Sequence, residues 1–411
     1  MQSSASFDVA IVGGSHAGLG LALALVRLAG RDIRVAIIDR VDVSRRAETP
    51  IDPRAFAISA GSRNLLAAIG VWPAVTDQAA PVCGIDISDS ALSNAVRPVV
   101  LSYDNQIDGV QPATFIVPAD ALRNALLDAA GQTPNIAIIA PATVQGCERL
   151  STGVTVTLQG GTLVHANLLV AADGAKSPLR AAAGIRTVDW STSQVGLVTT
   201  VEHERPHGGR AVQHFLPDGP FAMLPLIGNR TCVTWTENAA RGREIAALDA
   251  TAFSAELERR FGYKLGALQT VGPLALWPLE FHVARTLIAR RFALIGDAAR
   301  SVHPLAGQGL NLGLRDVAAL AEAIVDAMRL GLEPADTTAL ERYELWRRFD
   351  SSAAAAAFGA LNSVFSNDSM LLRTVRGVGL GLVDRIPALK QLLVMEAAGL
   401  TGDVPRLMQA I

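Results

Sequence analysis

The chain has 411 residues, half of them hydrophobic and 18% charged, with a formal net charge of −2. That length buries a large core and divides most readily into two domains, or one with a big insertion. The near-neutral balance argues against a nucleic-acid partner, for which a basic face is expected, and Cys83, Cys147 and Cys232, dispersed and without CxxC spacing, argue against a disulfide framework or zinc site and fit a reducing compartment.

The opening MQSSASFDVAIVGG lacks a basic segment and enters a strand pattern almost at once, so no signal peptide is expected. No apolar run is long enough to span a bilayer. Phe7 to Val12 reads as a strand, followed by Gly13, Gly14, Ser15, His16, Ala17 and Gly18 and then helical apolar spacing from Leu19 to Leu28. Ile33 to Ile38 is a second strand ending at Asp39. This is a βαβ unit with an acidic residue placed for a ribose hydroxyl, although Ser15 stands where G-x-G-x-x-G has its second glycine. Serine adds a small side chain whose hydroxyl can donate to phosphate. A parallel α/β protein without a nucleotide is the alternative reading of this stretch alone.

A loop with Arg54 leads to a helix from about Ser59 to Ile69 that carries Arg63; either arginine suits a pyrophosphate or open solvent. Val82 to Leu101 alternates like a hairpin, Ala119 to Ala130 is helical with Arg123 near its start, and Ile136 to Val144 is strand-like. Two strands flank Gly160-Gly161, and the second runs into AADGAKSPLR. There Asp173-Gly174 makes a turn, Ser177-Pro178 starts a helix, and Arg180 falls in its first turn.

Residues 194 to 238 form a block of short strands that differs from the βαβ material on both sides, which places a second domain here. Leu248 to Phe261 is an amphipathic helix and Leu274 to Val283 a further strand. Phe292 to Ile295 returns to a buried strand, and the loop after it carries Gly296, Asp297, His303, Pro304 and Gly307. From Gly309 the spacing is helical through Leu310, Leu314, Val317, Ala318, Ala321, Ile324 and Val325. A strand, a glycine loop and a helix in that order aim backbone N–H groups and a positive dipole end at one point. The tail from Glu341 is helical, with a segment from Leu371 to Leu393 interrupted by glycines and Pro387.

Three separated stretches, the N-terminal βαβ, ADGAKSPLR and LIGDAARSVHPLAGQGLNLGLRD, together resemble the class A flavin-dependent aromatic hydroxylases, and the last is especially similar to the ubiquinone-biosynthesis hydroxylases. In that run His303, Pro304, Leu305, Ala306, Gly307, Gln308, Gly309, Asn311, Gly313 and Asp316 fill the family's fixed places. The resemblance runs nearly end to end, and it implies an α/β, p-hydroxybenzoate-hydroxylase-like fold: a Rossmann-like FAD-binding domain, an antiparallel β-sheet substrate domain and a helical C-terminal tail. On that pattern the FAD-binding domain takes residues 1–81, 112–185 and 286–340. The substrate domain takes a hairpin at 82–111 and the block 186–285, and the helical C-terminal region takes 341–411.

The resemblance further implies FAD, with NAD(P)H as a transient reductant because no second dinucleotide fingerprint exists, and dioxygen as oxidant. It places Gly13, Ser15, Ala17 and Asp39 around the ADP part, Asp173 in a motif shared by flavin and NAD(P)H, and Asp297 at the ribityl chain. Gly309, Leu310 and Asn311 fall beside the flavin's pyrimidine edge. Gly18, Arg40, Arg54, Arg123, Val144, Gly174, Gly296, Pro304 and Gly307 complete the expected cofactor set. His303, Pro304 and Gly309 are the catalytic candidates, although a histidine before proline in a tight loop also suits backbone hydrogen bonding. His214 and Gln213 on the second domain's sheet are further candidates for the phenol.

The expected reaction is hydroxylation of the aromatic ring of a polyprenylated phenol or benzoquinol in ubiquinone biosynthesis. The alternatives are a class A hydroxylase of a soluble aromatic, or a catalytically idle flavoprotein that serves as an assembly subunit. Leucines and arginines mixed in the tail suit a Ubi-type complex or a peripheral contact with the inner membrane face of a cytoplasmic protein, and an ordinary packed helix suits them as well.

Overall fold

A computed structural model of the chain describes residues 5–30, 33–42, 51–90, 92, 98–216, 219–302, 308–348 and 387–409. The chain begins with strand β1 (Ala5–Val12), helix α1 (His16–Ala29) and strand β2 (Val35–Ile38). Val35, Ala36, Ile37 and Ile38 are all buried, as expected of a strand covered on both faces. Strand β3 (Ala55–Ser59) runs into helix α2 (Ala60–Ala68), whose N-cap Ser59 accepts from the Ser62 N–H. Strands β4 (Gly84–Asp89) and β5 (Val99–Asp104) make the expected antiparallel pair. Strand β6 (Thr114–Pro118) and helix α3 (Ala119–Gly131) follow.

The segment expected as one strand from Ile136 to Val144 is two. Strand β7 (Ile136–Ile139) ends before Pro141, which lacks an N–H for the ladder, and β8 (Val144–Arg149) begins a separate antiparallel edge. Strands β9 (Val154–Leu158) and β10 (Leu163–Ala171) form the hairpin marked by Gly160-Gly161, and a short helix α4 (Pro178–Ala182) follows the Asp173 turn.

The second sheet is built from β11 (Thr187–His203), β12 (Arg210–Leu216), β13 (Gly219–Leu226) and β14 (Arg230–Asn238). Helix α5 (Ala239–Ala246), absent from the sequence reading, is capped by the Asn238 side chain on the Ala240 N–H, and α6 (Ala250–Phe261) is capped by Asp249. Strand β15 (Ala275–Ala284), buried strand β16 (Phe292–Leu294) and two-residue strand β17 (Arg300–Ser301) lead to helix α7 (Gln308–Arg329). Residues 337–348 are helical, in line with the expectation from Glu341. The tail from 349 to 386 lies outside the described residues. Among the described residues the tail holds helix α8 (Pro387–Ala397).

The first sheet has β7, β2, β1, β10 and β16 side by side and parallel, with β9 and β8 added antiparallel. Its core joins Ile11, Leu19, Ile37, Leu169 and Phe292 to the α7 stripe of Leu314, Val317, Ala318, Ala321, Ile324 and Val325. The second sheet runs β17-β15-β11-β14-β13-β12-β4-β5, antiparallel apart from the β12–β4 pair. One of its faces packs under α5 and α6 through Phe221, Trp235 and Phe261, and the other meets β3 and β6 through Cys232, Leu226 and Ile116. Among the described residues no helix is long and apolar enough to cross a membrane. The described end of the tail packs on the body, with Val394 and Ala398 buried against Ala60 and Ala113, and Lys390 Nζ donating to the Ser102 carbonyl at 2.9 Å.

Candidate functional site

In an open parallel sheet the carboxyl ends of adjacent strands face one crevice. Here β2, β1, β10 and β16 end at Asp39, Gly13, Asp173 and Gly296–Asp297 respectively. Gly13 has φ +111°, and a Cβ on it would lie 2.2 Å from the Ala172 carbonyl oxygen; a Cβ on Gly18 would lie 1.9 Å from the Gly13 carbonyl oxygen. Those two positions therefore demand glycine. Ser15 does not: it is the exposed, extended N-cap of α1. Its Oγ lies 3.2 Å from His16 Nδ1, while His16 Nε2 lies 3.2 Å from the Ala119 carbonyl. Burial lowers the His16 pKa to about 4, outweighing the Ala119 bond, and nearby Arg54 pushes the same way. A neutral ring that donates from Nε2 to Ala119 accepts at Nδ1, so the Ser15 hydroxyl proton is already engaged. Nothing in the sequence pattern singled out His16, because the motif leaves that position unspecified.

Asp39 closes the glycine loop from the next strand. Its carboxylate accepts from the Gly14 N–H and, at 2.7 Å, from the Val41 N–H. The Asp39 carbonyl accepts from the Ala142 N–H at 2.7 Å, which brings the segment leading to Val144 alongside, with Val144 half-buried. Arg40 is exposed. Arg54 forks onto Asp52 at 2.9 and 2.6 Å, and its guanidinium lies 5.6 Å from the Phe56 ring centre and 5.2 Å from that of Trp277. Arg123 pairs with Asp120 at 3.1 Å, yet its Nε and the neighbouring Asn124 Oδ1 are buried with no hydrogen-bond partner among the described residues.

Asp173 leaves β10 directly beside Gly13, its backbone nitrogen 3.0 Å from where a Gly13 Cβ would stand. One carboxylate oxygen accepts from the Leu179 N–H at 3.4 Å; the other is buried without a hydrogen-bond partner among the described residues, and burial raises the carboxyl's pKa above its ordinary value. Gly174 turns the chain at φ +90°. Arg180 then reaches across. Its Nη1 donates to the Ala298 carbonyl at 2.8 Å and its Nη2 to the Ala175 carbonyl at 2.9 Å. The same Nη1 lies 3.1 Å from His282 Nε2, which is 3.0 Å from the Asp297 carbonyl. Burial and then the Arg180 charge lower the His282 pKa, so the ring is held neutral. His282 is a second residue that sequence reasoning passed over.

The Gly296 N–H donates to Asp316 Oδ2 at 3.0 Å, and Asp316 is itself fully buried between Arg300, at 2.7 Å, and Arg347, at 2.8 Å. This anchors the turn to α7, where Gly313 faces Gly296 closely enough that an added Cβ would stand 3.3 Å from its Cα. Ala17 packs on the other side of Gly296, 3.1 Å from where a Cβ would lie. The Asp297 side chain is exposed at the strand-end recess, and surrounding protein desolvates its carboxyl. Burial raises its pKa, with Arg54 and Arg300 offsetting part of the effect.

At the start of α7 no atom of the described residues lies within 4 Å of a Cβ added to Gly309. Leu310 packs into the core. The Asn311 side chain is committed to the fold, accepting from the Ser59 N–H at 3.0 Å and donating to the Ala57 carbonyl at 2.8 Å. What the helix end offers to the recess is therefore backbone N–H groups. His303, Pro304 and Gly307 lie outside the described residues. On the second sheet His214 is buried away from the recess, bonded to Ser88 Oγ and stacked 6.5 Å from Phe221, whereas Gln213 points to the opposite face.

The strand ends thus bring together two positions that demand glycine, the Asp173 and Asp297 carboxylates and a helix N-terminus, a donor and acceptor set that suits a phosphorylated, hydroxyl-bearing dinucleotide. A sequence profile described as FAD binding domain matches residues 6–356. Ubiquinone hydroxylase UbiL of Rhodospirillum rubrum is 41% identical over 407 residues, spanning 98% of this chain and 93% of that protein. The 3-demethoxyubiquinol 3-hydroxylase of Escherichia coli is 32% identical over 397 residues, 96% of this chain and 98% of that one. Among solved structures, p-nitrophenol 4-monooxygenase PnpA from Pseudomonas putida DLL-E4 superposes with a TM-score of 0.79 at 19% identity, covering 97% of this chain and 99% of that one. The fold is accordingly p-hydroxybenzoate-hydroxylase-like, as the motifs implied.

Proposed function

We propose, from the premise that this chain belongs to the FAD-binding family of ubiquinone hydroxylases, that it hydroxylates the aromatic ring of a polyprenylated phenol or benzoquinol in ubiquinone biosynthesis. The observation that carries this reading is the convergence of Gly13, Asp173 and Asp297 at the ends of three neighbouring parallel strands, beside the N-terminus of α7. When bound, FAD supplies hydride acceptance from NAD(P)H and the activation of dioxygen.

The chain's own residues hold and tune that group. The Gly13–Gly18 loop and the α1 N-terminus take the pyrophosphate, with Arg123 Nε and Arg54 as its cationic flank. Asp39 and the strand start at Val144 take the adenosine side. Asp173 and Asp297 accept hydroxyl protons, and the raised pKa of each marks a carboxylate that gains from such donors. The N–H groups at Gly309, Leu310 and Asn311 stabilise negative charge on the ring edge. The second sheet, apolar on its recess side, keeps water from the reacting centre. Ser15 has its proton committed to His16, so its contribution to phosphate is a backbone N–H at the helix start.

Association with a Ubi-type complex, or with the membrane surface where a prenylated substrate resides, is part of the same proposal. The test is direct: the purified protein is supplied with NAD(P)H, dioxygen and a geranylated methoxyphenol. Release of FAD on denaturation, together with a product heavier by one oxygen atom, supports the reading. A colourless protein, or NAD(P)H oxidation with no hydroxylated product from any neutral phenol, overturns it.

A further inference from the structure

Along β12 the side chains alternate between two environments. Val212 and His214 lie with Phe221, Met223 and Trp235 beneath α5 and α6, while Ala211 lies with Ala55, Ala57 and Ile116 on the side of the cofactor recess. Gln213 shares the Ala211 face, since the strand period is two and the pairing with β13 and β4 is regular. The registers align Ile87, Gln213, Ala222, Thr234 and Val198 in one row across five strands. In the adjoining row Thr236 pairs with Gly196 and Gly196 with Trp277, whose ring lies under the Arg54 guanidinium beside Asp297. The two rows are about 7 Å apart along the strands.

The Gln213 row is half-buried at Ile87, Gln213, Ala222 and Thr234, and it contains no lysine, arginine or histidine. The Thr234 hydroxyl is turned to the Cys232 sulfur. The Gln213 carboxamide makes no hydrogen bond among the described residues. It is both a donor and an acceptor on an uncharged wall whose Thr234 hydroxyl is already engaged. An aromatic carboxylate placed there would lack a counter-charge, because the row carries no cation and Arg54, over Trp277 four strands away, is forked onto Asp52. A neutral ring bearing a hydroxyl or carbonyl meets no such penalty.

We propose that Gln213 positions the substrate ring by hydrogen bonding a neutral phenol or quinol oxygen, and that this sheet face selects neutral rings over aromatic carboxylates. The inference rests on the hydroxylase reading above. It is tested on the FAD-loaded full chain by titrating a geranylated methoxyphenol and para-hydroxybenzoate against the flavin absorbance, and by dividing NAD(P)H oxidation into hydroxylated product and hydrogen peroxide. Gln213→Leu and Gln213→Met should bind the phenol about tenfold or more weakly and divert oxidation toward peroxide, with flavin content retained. Gln213→Asn should recover part of both. The unsubstituted protein should bind the benzoate at least about tenfold more weakly than the phenol. Equal phenol binding and coupling in the Leu and Met variants, or tighter binding of the benzoate, overturns the assignment. An unsubstituted protein that hydroxylates no phenol overturns the underlying hydroxylase reading, a result distinct from either.

Discussion

Arg180 Nη1 donates to the Ala298 carbonyl oxygen at 2.8 Å, joining the turn after one parallel strand to the turn after its neighbour across more than a hundred residues of sequence. The bond is charge-assisted and keeps the Asp173 and Asp297 turns in fixed relation before any ligand arrives. Arg180→Met should therefore weaken FAD binding by roughly 10-fold to 100-fold, as expected for loss of a hydrogen bond to a charged group. Quenching of free FAD fluorescence measures it, and unchanged affinity would show the two turns to be held independently.

Asp297 lines the recess with a carboxylate whose pKa is raised by burial, and no hydrogen bond of its side chain is seen among the described residues. Asp297→Ala should purify largely without flavin, read as the ratio of flavin to protein absorbance. Full occupancy would remove Asp297 from the site.

No atom of the described residues lies within 4 Å of a Cβ on Gly309, so its replacement by valine should cost the apo fold little. Gly309→Val should leave apo stability within about 0.5 kcal/mol while abolishing flavin binding or reduction. A matching loss of apo stability would mean that the side chain meets protein and not cofactor.

Asp316 is fully buried between Arg300 and Arg347 and also holds the Gly296 N–H. Removing one partner of a buried charge group is costly, so Arg347→Met should destabilise the protein by about 3–5 kcal/mol in urea unfolding. The cost at exposed Arg241, paired with Glu244 at 3.0 Å, should be below about 1 kcal/mol.

His16 is buried and its pKa is lowered from 6.5 to about 4, chiefly by desolvation. The unfolded chain binds a proton there before the folded one does, so stability present above pH 6.5 is lost as pH falls toward 4. Between pH 6.5 and 5 the loss from this residue amounts to about 2 kcal/mol. His203 and His282 shift in the same direction, so the comparison must be with a variant. Urea unfolding of His16→Gln should show that much less dependence over the same interval; an identical profile would mean that His16 titrates normally.

Much of this arrangement was readable from residues alone, and the parts that were not have physical reasons. The glycine loop, the Asp173 turn and the run from Gly296 into α7 announce themselves because backbone approach and strand–turn–helix order restrict residue choice there. Period-two alternation marked β12 as a strand but left open which face is which, since both are covered, and so could not separate Gln213 from His214. Asn311 stands in the family run as though it served the cofactor, yet its side chain bonds the backbone of β3 at Ser59 and Ala57. The break between β7 and β8 follows from Pro141, and α5 was missed because its eight residues offer one large apolar side chain, Ile245, and so little periodicity.

Hydrogen–deuterium exchange of the apo chain during FAD titration tests the central claim most directly. Three distant loops gripping one molecule should gain protection together at residues 13–18, 173–180 and 296–302, along with the start of α7, and saturate at one FAD per chain. Protection confined to one of these stretches, or saturation without any of them, would contradict it.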